Sequence, residues 1–245
     1  MSQLVVRSLE HRFGTSDVLR DVSFRVEKGE FVSIIGPSGS GKSTLFHLIG
    51  KLYEPTSGSI ELNGAPIERG MISYMPQNDS LLPWRTIARN IQLSREVHGQ
   101  PIDEAKLIEW IERAGLAGYE QAYPHELSGG MRQRASFIRA LVSEAPLLLL
   151  DEPFSALDEL TRMNMQRWLL SIWEETRPTV LFITHNIEEA LFLSDRVIVL
   201  SDKPTVVQRS IRVPFERPRR EEITLDAAFI RLKKEIYNEL RSVSH

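Results

Sequence analysis

The run Gly36 to Ser43 reads GPSGSGKS, and its residue types are those needed to hold a chain of phosphates. Its glycines let backbone amides turn inward around phosphate oxygens. Lys42 brings a positive charge to the β- and γ-phosphates, and the Ser43 hydroxyl suits Mg²⁺. The aliphatic run Phe31 to Ile35 precedes the loop and an apolar stretch, Ser43 to Gly50, follows it as a helix. The helix adds its positive N-terminal end to the pull on an anion. A glycine turn with a coincidental lysine would not need that strand-loop-helix order. The expected nucleotide-phosphate residues are Gly36, Pro37, Ser38, Gly39, Ser40, Gly41, Lys42, Ser43 and Thr44.

A second constellation lies at Leu147 to Leu150, an apolar strand delivering Asp151 and Glu152 at its C-terminal end. Ligands of open α/β sheets bind at that edge. Asp151 suits the outer coordination of Mg²⁺, which takes one or two carboxylates along with waters and phosphates. Glu152 leaves the strand in the opposite direction and is placed to polarise an attacking water. The bland alternative, a strand ending in solvated acids, weakens once the phosphate loop lies upstream.

Elements that position these residues follow from periodicity. Leu4 to Val6, Val22 to Val26 and Phe31 to Ile35 read as strands, and EPTSGSIELNGAPI has hairpin character around Ile60 to Leu62. Residues from about 81 to 140 read as mostly helical, with Leu107, Ile108, Ile111 and Ala114 at helical spacing. Strands return at Leu147 to Leu150, Val180 to Ile183 and Val197 to Leu200, separated by helices at about 159–175 and 187–194. Short apolar strands alternating with helices imply parallel strands buried on both faces. The fold class is therefore α/β, with β-rich material near the start. Expected domains are an α/β core with a β-subdomain at 1–78 and 141–213, a helical subdomain at 79–140, and a linker and helix at 214–245. In the last of these, Phe229, Leu232, Ile236 and Leu240 form one helix face.

Composition excludes several classes. Hydrophobic residues at 42% and charged residues at 26% are ordinary for a soluble globular chain. A net charge of -3 gives no basic field for nucleic acid. The absence of cysteine rules out a disulfide scaffold, cysteine-ligated zinc and a cysteine nucleophile. No apolar run is long enough for a signal peptide core or a membrane span, so the chain reads as soluble by itself.

The segment Leu127 to Arg134, LSGGMRQR, narrows the choice among nucleotide hydrolases. It resembles the signature motif of ATP-binding cassette (ABC) ATPases, LSGGQ-x-QR, with Met131 where glutamine is common. A serine hydroxyl and glycine amides opening a helix make a second anion site; SGG by itself is also a plain capping turn. Other matches follow in order. Gln77 in YMPQND resembles the glutamine that touches Mg²⁺ or the attacking water, and Ser155 to Asp158, SALD, resembles the loop lying across the interface from a second copy. His185, after VLFIT, resembles the histidine that contacts the γ-phosphate, and Phe13 resembles the aromatic that stacks on adenine. A polar cap and a core phenylalanine are the plain alternatives for those two.

The resemblance implies a P-loop ATPase core with a helical signature subdomain, and ATP and Mg²⁺ as cofactors. Glu152, His185 and Gln77 would be catalytic, and Ser43, Gln77 and Asp151 would serve the metal. Ser128, Gly129, Gly130 and Asp158 would reach the nucleotide of a second copy in a head-to-tail dimer. Partners would be that second copy, transmembrane permease subunits and, indirectly, a substrate-binding protein. The location implied is the cytoplasmic face of the membrane, peripherally bound. NDSLLPWRTIARNI adds an apolar patch, Leu81 to Trp84, where the family's groove receives a coupling helix; local core packing is the alternative. LLPWRT resembles the nitrate, sulfonate and taurine importer group, which includes carriers of thiamine-precursor pyrimidines, toward which YMPQ leans. Repair members carry long coiled coils, translation members two cassettes, and P-loop kinases or GTPases lack LSGGMRQR. A dimerisation-only cassette would not need Lys42, Asp151, Glu152 and His185 together.

Overall fold

The computed structural model describes residues 2–68, 70–101 and 103–243. Met1, Arg69, Ile102, Ser244 and His245, which the expected domain ranges include, lie outside it. The chain packs as two compact units: one runs to residue 69 and resumes at Leu170, and the other is Gly70–Leu169.

The discontinuous unit contains an antiparallel sheet of β1 (Ser2–Phe13), β2 (Ser16–Glu27), β4 (Ser57–Leu62) and β5 (Ala65–Pro66), in the order β2-β1-β4-β5. β1 is much longer than the run Leu4 to Val6 because irregular register carries it through the polar stretch to Phe13. A second group of strands comprises β3 (Phe31–Ile35), β8 (Thr179–Ile183), β9 (Arg196–Leu200) and β10 (Val207–Arg212). β3 runs parallel to both β8 and β9, and β10 closes antiparallel on β9. Every residue of β3 and β8 is buried, as continuous apolar runs require of strands covered on both faces.

Helices of this unit include α1 (Lys42–Ile49), α6 (Ile187–Leu193) and α7 (Ala227–Val243). The expected face of α7 is seen directly. Phe229 and Ile236 are fully buried against Ile35, Leu191, Val197 and Val199, and Leu232 and Leu240 pack beside them. At about 25 cal/mol per Å² of apolar area, two such side chains contribute roughly 3–6 kcal/mol before entropy is counted.

In the second unit β6 (Ile72–Met75) pairs in parallel with β7 (Leu147–Asp151), Met75 facing Leu150. Around them lie α2 (Ile87–Val97), α3 (Glu104–Arg113) and α4 (Gly129–Val142), and α5 (Glu159–Thr176) starts here. Each of the first three begins at a polar cap: Thr86, Asp103 and Ser128 accept from the backbone of Arg89, Lys106 and Met131. On α3 the buried face is Leu107 and Ile111, continued by Ala114, whereas Ile108 stays 49% exposed. Ile108 sits a quarter turn off that face, which apolar spacing alone did not separate.

Candidate nucleotide site

In the discontinuous unit, β3 ends at Ile35 and hands the chain to Gly36. Parallel pairing sets Ile34 against Ile183, and Thr184 donates to the Ile34 carbonyl at 3.3 Å. The phosphate loop and His185 therefore leave adjacent strands at the same edge. Lys42 is buried, and its ammonium bends back to donate to the Gly36 carbonyl at 3.0 Å and the Pro37 carbonyl at 2.7 Å. That bracing keeps the loop's own backbone in a tight arc. Gly41 caps α1 at φ 97°, and a Cβ there would lie 2.8 Å from Val18 Cγ1. Both the handedness and the close approach demand glycine.

Ser38, Gly39 and Ser43 are exposed along the loop, and Ser40 is buried with its carbonyl accepting from the Thr205 hydroxyl. His185 is exposed, and Asn186 behind it caps α6 by accepting from Glu188 and Glu189 amides. Phe13 is 48% exposed rather than a core residue. Its ring meets His11 edge-on at 4.6 Å and Tyr53 at 5.7 Å, which holds a half-exposed aromatic face in place.

In the second unit, Gln77 and the pair Asp151, Glu152 leave the adjacent parallel strands β6 and β7 at their C-terminal ends. Gln77 Nε2 donates to Ser155 Oγ at 3.2 Å, and Ser155 Oγ donates to the Glu152 carbonyl at 3.0 Å. Gln77 is thereby tied to the turn that carries Glu152. Glu152 has φ 46°, a left-handed conformation that swings its side chain away from the line of β7. Asp151 is 6% exposed. Hydrogen bonds from the Thr161 hydroxyl and then from the Thr161 amide, the latter at 3.0 Å, hold the Asp158 carboxyl below the usual range. Ser128 and Gly129 are exposed at the start of α4, while a Cβ on Gly130 would press Thr161 Cγ2 at 3.1 Å.

Sequence reasoning missed Tyr74, Asp79 and Arg132. Tyr74 donates its hydroxyl to Asp151 Oδ2 at 3.1 Å. Arg132 Nε donates to Asp79 Oδ2 at 2.8 Å. These pairings join positions far apart in the chain, and only register or helix packing reveals them. The patch Leu81 to Trp84 divides: Leu81 is buried, Leu82 is intermediate, and Pro83 and Trp84 are exposed, Trp84 at 72%. Buried Asn90 enforces the division, since it accepts from the Leu82 amide and donates to the Leu82, Arg85 and Thr86 carbonyls.

A model of the ABC transporter family matches residues 19–155, more than half of the chain. The chain belongs to the ABC transporter family. As an ABC cassette it is an ATPase, and ATP is its nucleotide. It is similar to a formylaminopyrimidine import ATP-binding protein of Halalkalibacterium halodurans, with 46% identity over 91% of this chain and 89% of that one. It is also similar to an aliphatic sulfonates import ATP-binding protein of Rhodococcus jostii, 46% identical over 85% of this chain and 82% of that one. Among solved structures, an ATP-binding cassette captured as a dimer in a post-hydrolysis state with ADP and Pi superposes with a TM-score of 0.74. That pair shares 29% identity and covers 87% of this chain and 100% of the other. Among the described residues of this cassette, no helix is long and apolar enough to cross a membrane.

Proposed function

We propose that this ABC cassette hydrolyses ATP to energise import of a small solute of the sulfonate, taurine or nitrate class. It acts as a head-to-tail dimer held on the cytoplasmic face of the membrane by permease subunits, with a substrate-binding protein delivering the cargo. The carrying observation is Gly129. It is the first residue of α4, exposed beside the Ser128 cap. Among the described residues, a Cβ there would meet no atom nearer than 3.9 Å. The start of α4, with Ser128 and Gly129 exposed, is therefore open to an anion from outside the chain, and a nucleotide held by a second copy fits that place. The import class draws on the relatives' names and on the exposed Trp84. It also draws on a groove of about 430 Å³ lined by Tyr74, Leu93, Val97, His98, Arg139 and Glu144 that suits a docked permease segment.

The proposed residue roles divide between the two units. Phe13 stacks on adenine, the loop Gly36 to Thr44 wraps the phosphates, Lys42 neutralises the β- and γ-oxygens, and His185 contacts the γ-phosphate. Gln77 and Glu152 orient and deprotonate the attacking water. Ser128, Gly129, Gly130 and Asp158 serve the partner copy's nucleotide. For Mg²⁺, each unit holds oxygen donors of the kind it prefers: the exposed Ser43 hydroxyl in the discontinuous unit, and the Gln77 amide oxygen and Asp151 carboxylate in the other. When bound it would neutralise phosphate charge as it develops. ATP binding favours the closed dimer, and loss of the γ-phosphate releases it.

A second reading, import of a thiamine-precursor pyrimidine, draws on YMPQ and on the relative from Halalkalibacterium halodurans, whose similarity covers more of the chain. The test is ATP hydrolysis by the complete transporter in liposomes. Its binding protein would be added with taurine, an alkanesulfonate, nitrate or formylaminopyrimidine in turn. Stimulation by a member of the first three supports the main reading, and stimulation by the pyrimidine alone favours the second. Hydrolysis with no permease recoverable and no response to any solute would return the chain to a role outside transport.

A further inference from the structure

Three side chains on one face of α4, at positions 132, 136 and 139, all grip the two residues Asp79 and Ser80 that follow the Gln77 turn. Arg132 Nε donates to Asp79 Oδ2 at 2.8 Å, and Ser136 Oγ donates to the Asp79 carbonyl at 2.8 Å. Arg139 Nη2 donates to that same carbonyl at 2.9 Å, and its Nη1 to the Ser80 carbonyl at 2.9 Å. Ser80 is held at φ 47°, a left-handed setting that a non-glycine residue keeps only when its surroundings fix it. The gripped segment has little freedom to move unless α4 moves with it.

Arg132 does something further. A terminal nitrogen of the same guanidinium, Nη1, donates to the Leu127 carbonyl at 2.7 Å, immediately ahead of the Ser128 cap. One planar guanidinium thus spans from the Gln77 loop to the backbone that presents Ser128, and only a fork of fixed donors can do this. Its side chain and that of Asp79 are 34% and 28% exposed, which leaves the pair partly shielded from screening.

We propose that Arg132, braced by Asp79, is a positioning residue that couples the two ATP sites of the dimer through each chain's own fold. This inference rests on the roles proposed above for Gln77 at its own nucleotide and Ser128 at the partner copy's. A shift of Gln77 on nucleotide binding moves Asp79. Asp79 carries Arg132, and Arg132 resets the Leu127 carbonyl and the serine that follows it. Nucleotide at one site thereby places the group that completes the other. The bond that makes this possible joins residues 53 positions apart, so it is a tertiary device and no local helix contact.

Steady-state hydrolysis by the assembled transporter, measured across ATP concentration, tests the coupling. The wild type should show a Hill coefficient above one and no more than about two, as two positively coupled sites require. Arg132→Met and Asp79→Asn should each bring it to one and lower the maximal rate. The double variant should be no worse than Arg132→Met, because both remove the same link. Arg132→Lys, which keeps the charge and loses the fork, should behave like Arg132→Met. A merely structural role would lower the melting temperature and leave the Hill coefficient intact, and that result overturns the proposal. A wild-type coefficient of one, or restoration by lysine, overturns it as well. Ser128→Arg distinguishes the underlying reading: full hydrolysis by that variant removes the role of Ser128, and the coupling with it. Inactive Ser128→Arg with unchanged cooperativity in Arg132→Met removes the coupling alone.

Discussion

Tyr74 and Asp151 stand on neighbouring parallel strands, and the phenol hydroxyl donates to Asp151 Oδ2 at 3.1 Å. Tyr74 faces Leu149 in the register, so Asp151 is its diagonal neighbour on the same face of the pair. Burial, and then the charge of Asp151, push the Tyr74 pKa well above its ordinary value. Folding therefore favours the protonated phenol. That contribution is complete below the unfolded value of about 10 and fades only as pH climbs past it. Tyr74 stays a donor across the neutral range.

Tyr74→Phe should weaken the hold on the Asp151 carboxylate while sparing the fold. Partners that orient a metal-binding carboxylate typically contribute about 10- to 100-fold in metal affinity, so with Asp151 in its proposed role the Mg²⁺ concentration for half-maximal hydrolysis should rise about tenfold. A Mg²⁺ titration of ATPase activity reads this out. An unchanged midpoint would show that Asp151 is oriented without the phenol.

Much of this site was legible in the residues themselves. The phosphate loop carries its meaning in glycines and one lysine, and β7 announces itself as four leucines running into two acids. Both depend on local chemistry and on strands buried on both faces. Tyr74, Asp79 and Arg132 were not legible, because an ordinary strand tyrosine and two surface-type charges acquire roles only through strand register and helix packing. The same limit explains Leu81 and Trp84. Four adjacent residues of apolar and turn type give no sign of which turn inward until Asn90 fixes their backbone.

Glu152→Gln should retain ATP binding and accumulate a nucleotide-bound dimer. The substitution preserves size, and the Glu152 carbonyl, which accepts from the Ser155 amide at 3.1 Å, keeps the turn. General-base catalysis contributes about 10²- to 10⁴-fold, and the hydrolysis rate should fall by that order. Size-exclusion chromatography with ATP checks the trapped dimer, and full turnover by this variant would remove Glu152 as the base.

Gly41→Ala and Gly39→Ala should separate strain from crowding. Both glycines have positive φ, which costs a non-glycine residue roughly 1–2 kcal/mol. Only at Gly41 does the added methyl also collide, with Val18 Cγ1 at 2.8 Å, and overpacking costs roughly 1–3 kcal/mol more. Thermal unfolding should show the larger drop for Gly41→Ala, and equal drops would mean that Val18 yields freely.

Arg219→Lys should destabilise the discontinuous unit. Arg219 is 6% exposed, and its Nη1 donates to the Leu191, Phe192 and Ser194 carbonyls at the end of α6. Two further bonds reach the Phe215 carbonyl. Burial, and then the neighbouring Arg217 charge, lower its pKa to about 10, so it remains a cation at neutral pH. Lysine keeps the charge but cannot fork to both sets of acceptors, and stranded carbonyls cost about 1–3 kcal/mol each. The expected reading is a lower unfolding midpoint in urea with an unchanged slope.

The divided course of the first unit also sets a timetable for its making. Gly29 donates to the Thr179 hydroxyl across 150 residues, and β3 finds both of its parallel neighbours only after the whole of Gly70–Leu169 has been translated. At about 5–20 residues per second, the strand that leads to Gly36 waits roughly 8–30 seconds on the ribosome for β8 to emerge. During that interval an apolar strand and a glycine loop are exposed without their sheet, and the continuous segment can fold ahead of them. The nucleotide loop is thus synthesised well before the two strands that flank the strand leading into it.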